Sequence, residues 1–175
     1  MKLGVKHLEA AVSSGDLSKA EDCLQCGVNP NPTSPLLLGL APLMLAVKSN
    51  RLRMAQLLLK YGATLSAASN RVSTPLLAAV QNSSDEMLAL LLRHSTPELI
   101  DQKDMLGLTA LMHAVKKRSL GMVERLINAG ADMTLVNSQS KTALQLAQLD
   151  GQTEMAEFLQ EAERERNEWV LVETP

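Results

Sequence analysis

The sequence predicts an all-α solenoid of about five stacked helix pairs. Three observations predict it. A short phrase recurs: Ala41-Pro42-Leu43-Met44-Leu45-Ala46-Val47, Thr74-Pro75-Leu76-Leu77-Ala78-Ala79-Val80, Thr109-Ala110-Leu111-Met112-His113-Ala114-Val115 and Thr142-Ala143-Leu144-Gln145-Leu146-Ala147. The copies begin at 41, 74, 109 and 142, so their spacings are 33, 35 and 33 residues. Each is followed by a second apolar run at helical spacing, at Met54–Leu59, Met87–Leu92, Met122–Ile127 and Met155–Leu159. Finally, Phe158, Tyr61 and Trp169 are the only aromatic residues in 175. Leu, Ala and Met must therefore fill the interior, which suits small helices packed closely.

Each element has its own signal. Thr74, Thr109 and Thr142 stand where a hydroxyl can cap the first helix of a pair. Pro42 and Pro75 fall at the first helical position, where a missing N–H costs nothing. Ser83 and Glu86 have capping-box spacing. Gly27, Gly62 and Gly130 follow the second helices, where a left-handed residue ends a helix cheaply. The expected pairs are 42–49 with 52–61, 75–82 with 84–94, and 110–117 with 119–129. Leu58, Leu91 and Leu126 should be buried in equivalent places. A degenerate unit precedes these, at Leu8-Glu9-Ala10-Ala11 and Cys23-Leu24-Gln25-Cys26-Gly27. In the last unit Gln160 takes the slot of Leu59, Leu92 and Ile127, and Glu161, Glu163 and Arg164 follow, so it reads as a polar cap.

A turn followed by two helices at a period of about 33 residues resembles the ankyrin repeat. The resemblance covers roughly residues 4–163. It divides the chain into a single domain, 1–168, with units near 4–33, 40–73, 74–108, 109–141 and 142–168, and a tail at 169–175. The family's usual histidine after Thr-Pro-Leu is here Met44, Leu77, Met112 and Gln145, which removes the hydrogen bonds that histidine makes between repeats. Ser95 stands in place of a glycine, and the turns around Thr96-Pro97-Glu98 and between Gly27 and Ala41 are each two residues longer. The phrase Thr109–Ala114 is similar to bacterial ankyrin proteins.

Composition excludes several function classes. No apolar run reaches the roughly 18–20 residues that span a bilayer, and the charged start Met1–His7 lacks the apolar core of a signal peptide. A cytoplasmic protein is expected, or one delivered into a host cell without such a signal. Cys23 and Cys26 form a C-x-x-C with no second pair, whereas a zinc site needs about four ligands. They are read as structural thiols in a reducing compartment, and no metal or cofactor is expected. From Asp150 onward eight acids face Arg164 and Arg166, a net −6, which leaves +4 for the remainder of a chain whose total is −2. Basic residues are too few, and aromatics too sparse, for nucleic acid.

The candidate contact residues follow from the resemblance. In ankyrin-like arrays the ends of the first helices and the preceding turn tips line the concave binding surface. Here those ends carry Lys48 and Arg51, then Gln81 and Asn82, then Lys116, Lys117 and Arg118. The turn tips carry apolar clusters, Leu36-Leu37-Leu38-Gly39-Leu40 and Met105-Leu106-Gly107-Leu108. Exposed, Leu106 and Leu108 would form a binding patch; the opposing possibility is that these leucines fold under the loops. The Met54, Met87, Met122 and Met155 stripe is assigned to core packing. The sequence contains no phosphate-cradling glycine loop, H-E-x-x-H or G-x-S-x-G.

The resulting expectation is a monomeric, non-catalytic module that binds another protein with an acidic surface, and blocks or recruits it. An immunity-type inhibitor and a host-directed effector both suit it. The competing expectations are an enzyme using His113 with a nearby carboxylate, and a scaffold for polyanions or membranes. Trp169–Val172 would dock, bind or remain loose.

Overall fold

The computed structural model describes residues 4–32, 41–65 and 74–172, with the side chains of all but 167 and 169–172. Every regular element among them is helical: α1 (Val5–Ser14), α2 (Leu17–Gln25), α3 (Pro42–Lys48), α4 (Leu52–Lys60), α5 (Pro75–Gln81), α6 (Asp85–Leu92), α7 (Pro97–Ile100), α8 (Ala110–Lys116), α9 (Leu120–Asn128), α10 (Ala143–Leu149) and α11 (Thr153–Val172). The chain divides into two compact units, Met1–Ser95 and Thr96–Pro175.

In the first unit α1 pairs with α2, α3 with α4 and α5 with α6. The first helices stack α1 on α3 on α5, and the second helices α2 on α4 on α6. In the second unit α8 pairs with α9 and α10 with α11, and α8 stacks on α10. Each unit is therefore a stretch of α-solenoid, in which a pair buries its apolar face only against its neighbour.

The helix starts form as the sequence requires. Thr74 Oγ1 accepts from Leu77 N at 3.1 Å, and Thr109 Oγ1 accepts from Met112 N at 3.3 Å. Thr142 completes a capping box: its Oγ1 accepts from Gln145 N at 3.2 Å, while its own N–H donates to Gln145 Oε1 at 3.1 Å. Gly27, Gly62 and Gly130 take φ of 81°, 85° and 91°. The Ser83–Glu86 box is corrected: Ser83 sits at φ 53°, and Ser84 becomes the N-cap of α6 without a side-chain bond. Asp85 and Glu86 lie in the first turn of α6, where acidic side chains favour the positive end of the helix dipole.

The interior is aliphatic. Leu58, Leu91 and Leu126 are fully buried. Met54, Met87, Met122 and Met155 are all at most 5% exposed, so the methionine register is core packing. The turn after α6 resolves the missing glycine: Ser95 Oγ donates to Leu91 O at 2.9 Å, and the two extra residues fold into α7, which buries Ile100. Glu157, Gln160 and Glu161 of α11 are exposed, as a polar cap demands. The backbone of α11 reaches Val172, into the segment expected to be a tail. The Trp169–Val172 side chains and the Leu36–Leu40 turn lie outside the described residues. No helix among those described is long and apolar enough to cross a membrane.

Candidate functional site

The ends of the first helices were expected to project charge, and only part of that charge does. Short loops join the helices of each pair, and their backbone enters the left-handed region at Asn50, Ser83 and Arg118, with φ of 50°, 53° and 57°. A side chain with a Cβ pays of order 1 kcal/mol or more there. In the first unit Lys48 and Gln81 are exposed. Arg51 turns back instead: its guanidinium donates to Val12 O and, at 2.8 Å, to Ser13 O. Gly15 makes room for it, since a Cβ there would lie 3.1 Å from Arg51 Cζ. Asn82 does the same with Nδ2, donating to Val47 O at 2.9 Å and Lys48 O at 3.2 Å. Both donate to carbonyls in the last turn of the neighbouring first helix.

In the second unit Lys116, Lys117 and Arg118 are exposed at the end of α8. Arg118 Nη2 donates to Asp150 O at 3.0 Å, tying the end of α8 to the end of α10. One helix further on, the residue in register with Lys116 is Leu149, 69% exposed, which the sequence pattern had not singled out.

The turn before α8 is built around Asp104. Its Oδ1 accepts from Leu106 N at 2.8 Å and Leu108 N at 2.9 Å. Its Oδ2 lies 2.8 Å from His113 Nε2. Burial pushes the Asp104 carboxyl up, but the bonds from His113, Leu108 N–H and Leu106 N–H together outweigh it and hold the acid below the usual range. The histidine thus meets a carboxylate, as the enzymatic alternative required, yet that carboxylate is engaged in holding a turn. Met105 and Leu106 are 75% and 61% exposed. Leu108 is only 4% exposed, so it supports the turn from below and is not part of the apolar tip. The two leucines thus differ in exposure although both their amides donate to the same Asp104 oxygen.

The cysteines complete the chemistry. Cys23 is buried and Cys26 exposed, and both are free thiols. Burial pushes the Cys23 thiol up, helped by Cys26 and Asp22, which makes it a poor nucleophile and a poor ligand. Among the described residues no group of three or more His, Cys, Asp or Glu is arranged to hold a metal ion.

Family models for ankyrin repeats match residues 8–104 and 91–147. The chain belongs to the ankyrin repeat family. It is similar to the ankyrin repeat protein nuc-2 of Neurospora crassa, with 29% identity over 71% of this chain and 12% of that protein. It is also similar to protein glp-1 of Caenorhabditis elegans, 33% identical over 74% of this chain and 11% of glp-1. A third relative is the B-cell lymphoma 3 protein homolog of Mus musculus, 29% identical over 81% of this chain and 33% of that protein. The ankyrin chain therefore spans about a tenth to a third of the length of these relatives.

Proposed function

We propose that this ankyrin chain is a non-catalytic protein-binding module that engages an acidic partner surface through exposed helix ends and an apolar turn tip, and so blocks or recruits that partner. The observation that carries the reading is in the second unit. Lys116 and Lys117 are exposed at the end of α8, and Leu106 is exposed on the turn that precedes the same helix. Cations steer an acidic partner and speed encounter, and a desolvated apolar side chain supplies affinity. Arg118 is exposed beside them with its guanidinium on Asp150 O. The first unit offers its own exposed residues at the matching positions, Lys48 and Gln81, with Arg51 and Asn82 as struts behind them. Leu108 contributes as the buried floor of the turn.

An immunity-type inhibitor and a host-directed effector both fit this reading, the first by occlusion and the second by recruitment. Affinity capture followed by mass spectrometry identifies the partner. Association is then timed for Lys116→Glu with Lys117→Glu, and for Glu161→Lys on the polar cap. The double reversal is expected to slow association, with the wild-type rate falling as salt rises, while the cap variant matters little. A partner that binds the double reversal at the wild-type rate, or that is lost only with Glu161→Lys, overturns the proposal.

A further inference from the structure

The second unit holds a cavity of about 270 Å³ between two loops, the one joining α8 to α9 and the one joining α10 to α11. Arg118 and Leu120 line it from the first loop, and Gln152, Thr153, Glu154 and Met155 from the second. Gln152 is its unusual member. The residue is 7% exposed, and neither its Oε1 nor its Nε2 has a hydrogen-bond partner among the described residues. A buried amide left without partners is costly. In the first unit the residue of the same register, Arg51, donates to Val12 O and Ser13 O. Gln152 makes no equivalent bond.

Most of the lining donates hydrogen bonds. Val123 N is the first amide of α9 to find an acceptor of its own helix end, Ser119 O, and Ala156 N is the first of α11, on Gln152 O. The N–H groups of Leu120, Thr153, Glu154 and Met155 therefore have no acceptor within their helices. No side chain caps α9, and Gln152, at the start of α11, caps nothing. Arg118 is exposed, and its Nη2 donates to Asp150 O at 3.0 Å, which leaves further guanidinium N–H groups to donate.

The charge has the same sense. The two segments that form the cavity, 116–120 and 150–155, carry Lys116, Lys117 and Arg118 against Asp150 and Glu154, a net +1. The starts of α9 and of the 20-residue α11 add the positive ends of their dipoles.

We infer that this cavity is a binding site for a phosphate group, held by Arg118, by the amides that open α9 and α11, and by Gln152 Nε2. A phosphate offers oxygen acceptors on every side, which suits donors converging from two helix starts and a guanidinium. It gives the buried Gln152 amide an acceptor that the fold does not supply. Glu154, exposed in the first turn of α11, is the one carboxylate in the lining and opposes an anion. The site lies at the loops inside helix pairs and takes a small ligand, so it does not depend on the protein-binding reading above.

The test is a titration of the whole chain, followed by amide proton–nitrogen correlation spectra. The probes are inorganic phosphate and, separately, phenyl phosphate, each against sodium chloride at matched ionic strength. Saturating shifts are expected at Leu120, Thr153, Glu154 and Met155 that chloride does not produce. Saturation by inorganic phosphate makes the free ion a ligand. Saturation by the ester alone places the phosphate on a larger molecule that extends out of the cavity. Arg118→Gln should weaken binding about tenfold or more, and Gln152→Leu about threefold to tenfold. Glu154→Gln should tighten it about twofold to fivefold. Circular dichroism verifies that each variant folds. Arg118→Gln also loses the bond to Asp150 O, so Gln152→Leu and Glu154→Gln decide the matter if that variant does not fold. Gln152→Leu removes an unpaired buried amide and should fold at least as well as wild type. Shifts no different from those in chloride with both probes overturn the site. So does a phosphate affinity that Gln152→Leu and Glu154→Gln both leave within about twofold.

Discussion

Two turns of the second unit, Asp104–Thr109 and Asn137–Thr142, share a backbone and differ in almost everything they show to solvent. In each, the first side chain accepts two backbone amides: Asp104 from Leu106 and Leu108, Asn137 from Gln139 at 2.9 Å and Lys141 at 3.0 Å. In each, the fourth residue is left-handed, Gly107 at φ 72° and Ser140 at φ 58°. In each, the sixth is a threonine that caps the next helix. The second and third residues are Met105 and Leu106 in one turn and Ser138 and Gln139 in the other. The frame is thus set by positions one, four and six. The side chains at positions two and three differ without changing it.

The largest expected effect empties the core of one repeat in each unit. Leu126→Ala empties a fully buried site in α9, and Leu91→Ala the equivalent one in α6. Each should cost about 2–5 kcal/mol in denaturant unfolding. A loss well below that range at both sites would show that the repeats do not share one packing scheme.

A smaller effect tests the fourth position. Gly107→Ala puts a Cβ against the backbone of Ser138 at a left-handed residue, and should cost about 1–3 kcal/mol. Ser140→Gly relieves the same conformation in the other turn and should stabilise it by at most about 1 kcal/mol. Thermal melts of the two variants that shift in the same direction would break the equivalence of the turns.

The smallest effect separates the two anchors. The Asp104 acid is held below the ordinary value near 3.9. Its contribution is present above that value and is lost as pH falls through the lowered one, because the folded state then binds a proton against its own hydrogen bonds. Asn137 carries no such dependence. Wild type should therefore exceed Asp104→Asn in stability at neutral pH, and the gap should narrow as pH drops from about 5 to about 2. Denaturation midpoints measured across that range test it, and a gap that widens in acid contradicts the assignment.

Much of this was legible in the residues. Thr74, Thr109 and Thr142 cap as their positions require, and the methionine register is buried. Ser83 was not legible, because a cap depends on the φ of the residue before the helix, and Ser83 takes a left-handed one. The roles of Arg51, Asn82 and Arg118 were hidden for a different reason. Their partners are carbonyls 32 to 39 residues away, and nothing in a side chain's type says whether a bare helix end lies within reach. Leu149 escaped notice because its register position elsewhere carries a polar residue, Lys48, Gln81 or Lys116.

The sequence by itself determined the period, the helix pairs, the aliphatic core and the family, since these rest on local propensity and on a pattern repeated often enough to overrule any one ambiguous copy. Tertiary structure alone decided which polar groups face water. A charged side chain at a helix end can solvate itself or satisfy a neighbour's open carbonyl, and the choice depends on distances that only stacking creates. It also decided that Leu106 is exposed and Leu108 buried, because only packing determines which side chain of a turn finds apolar neighbours.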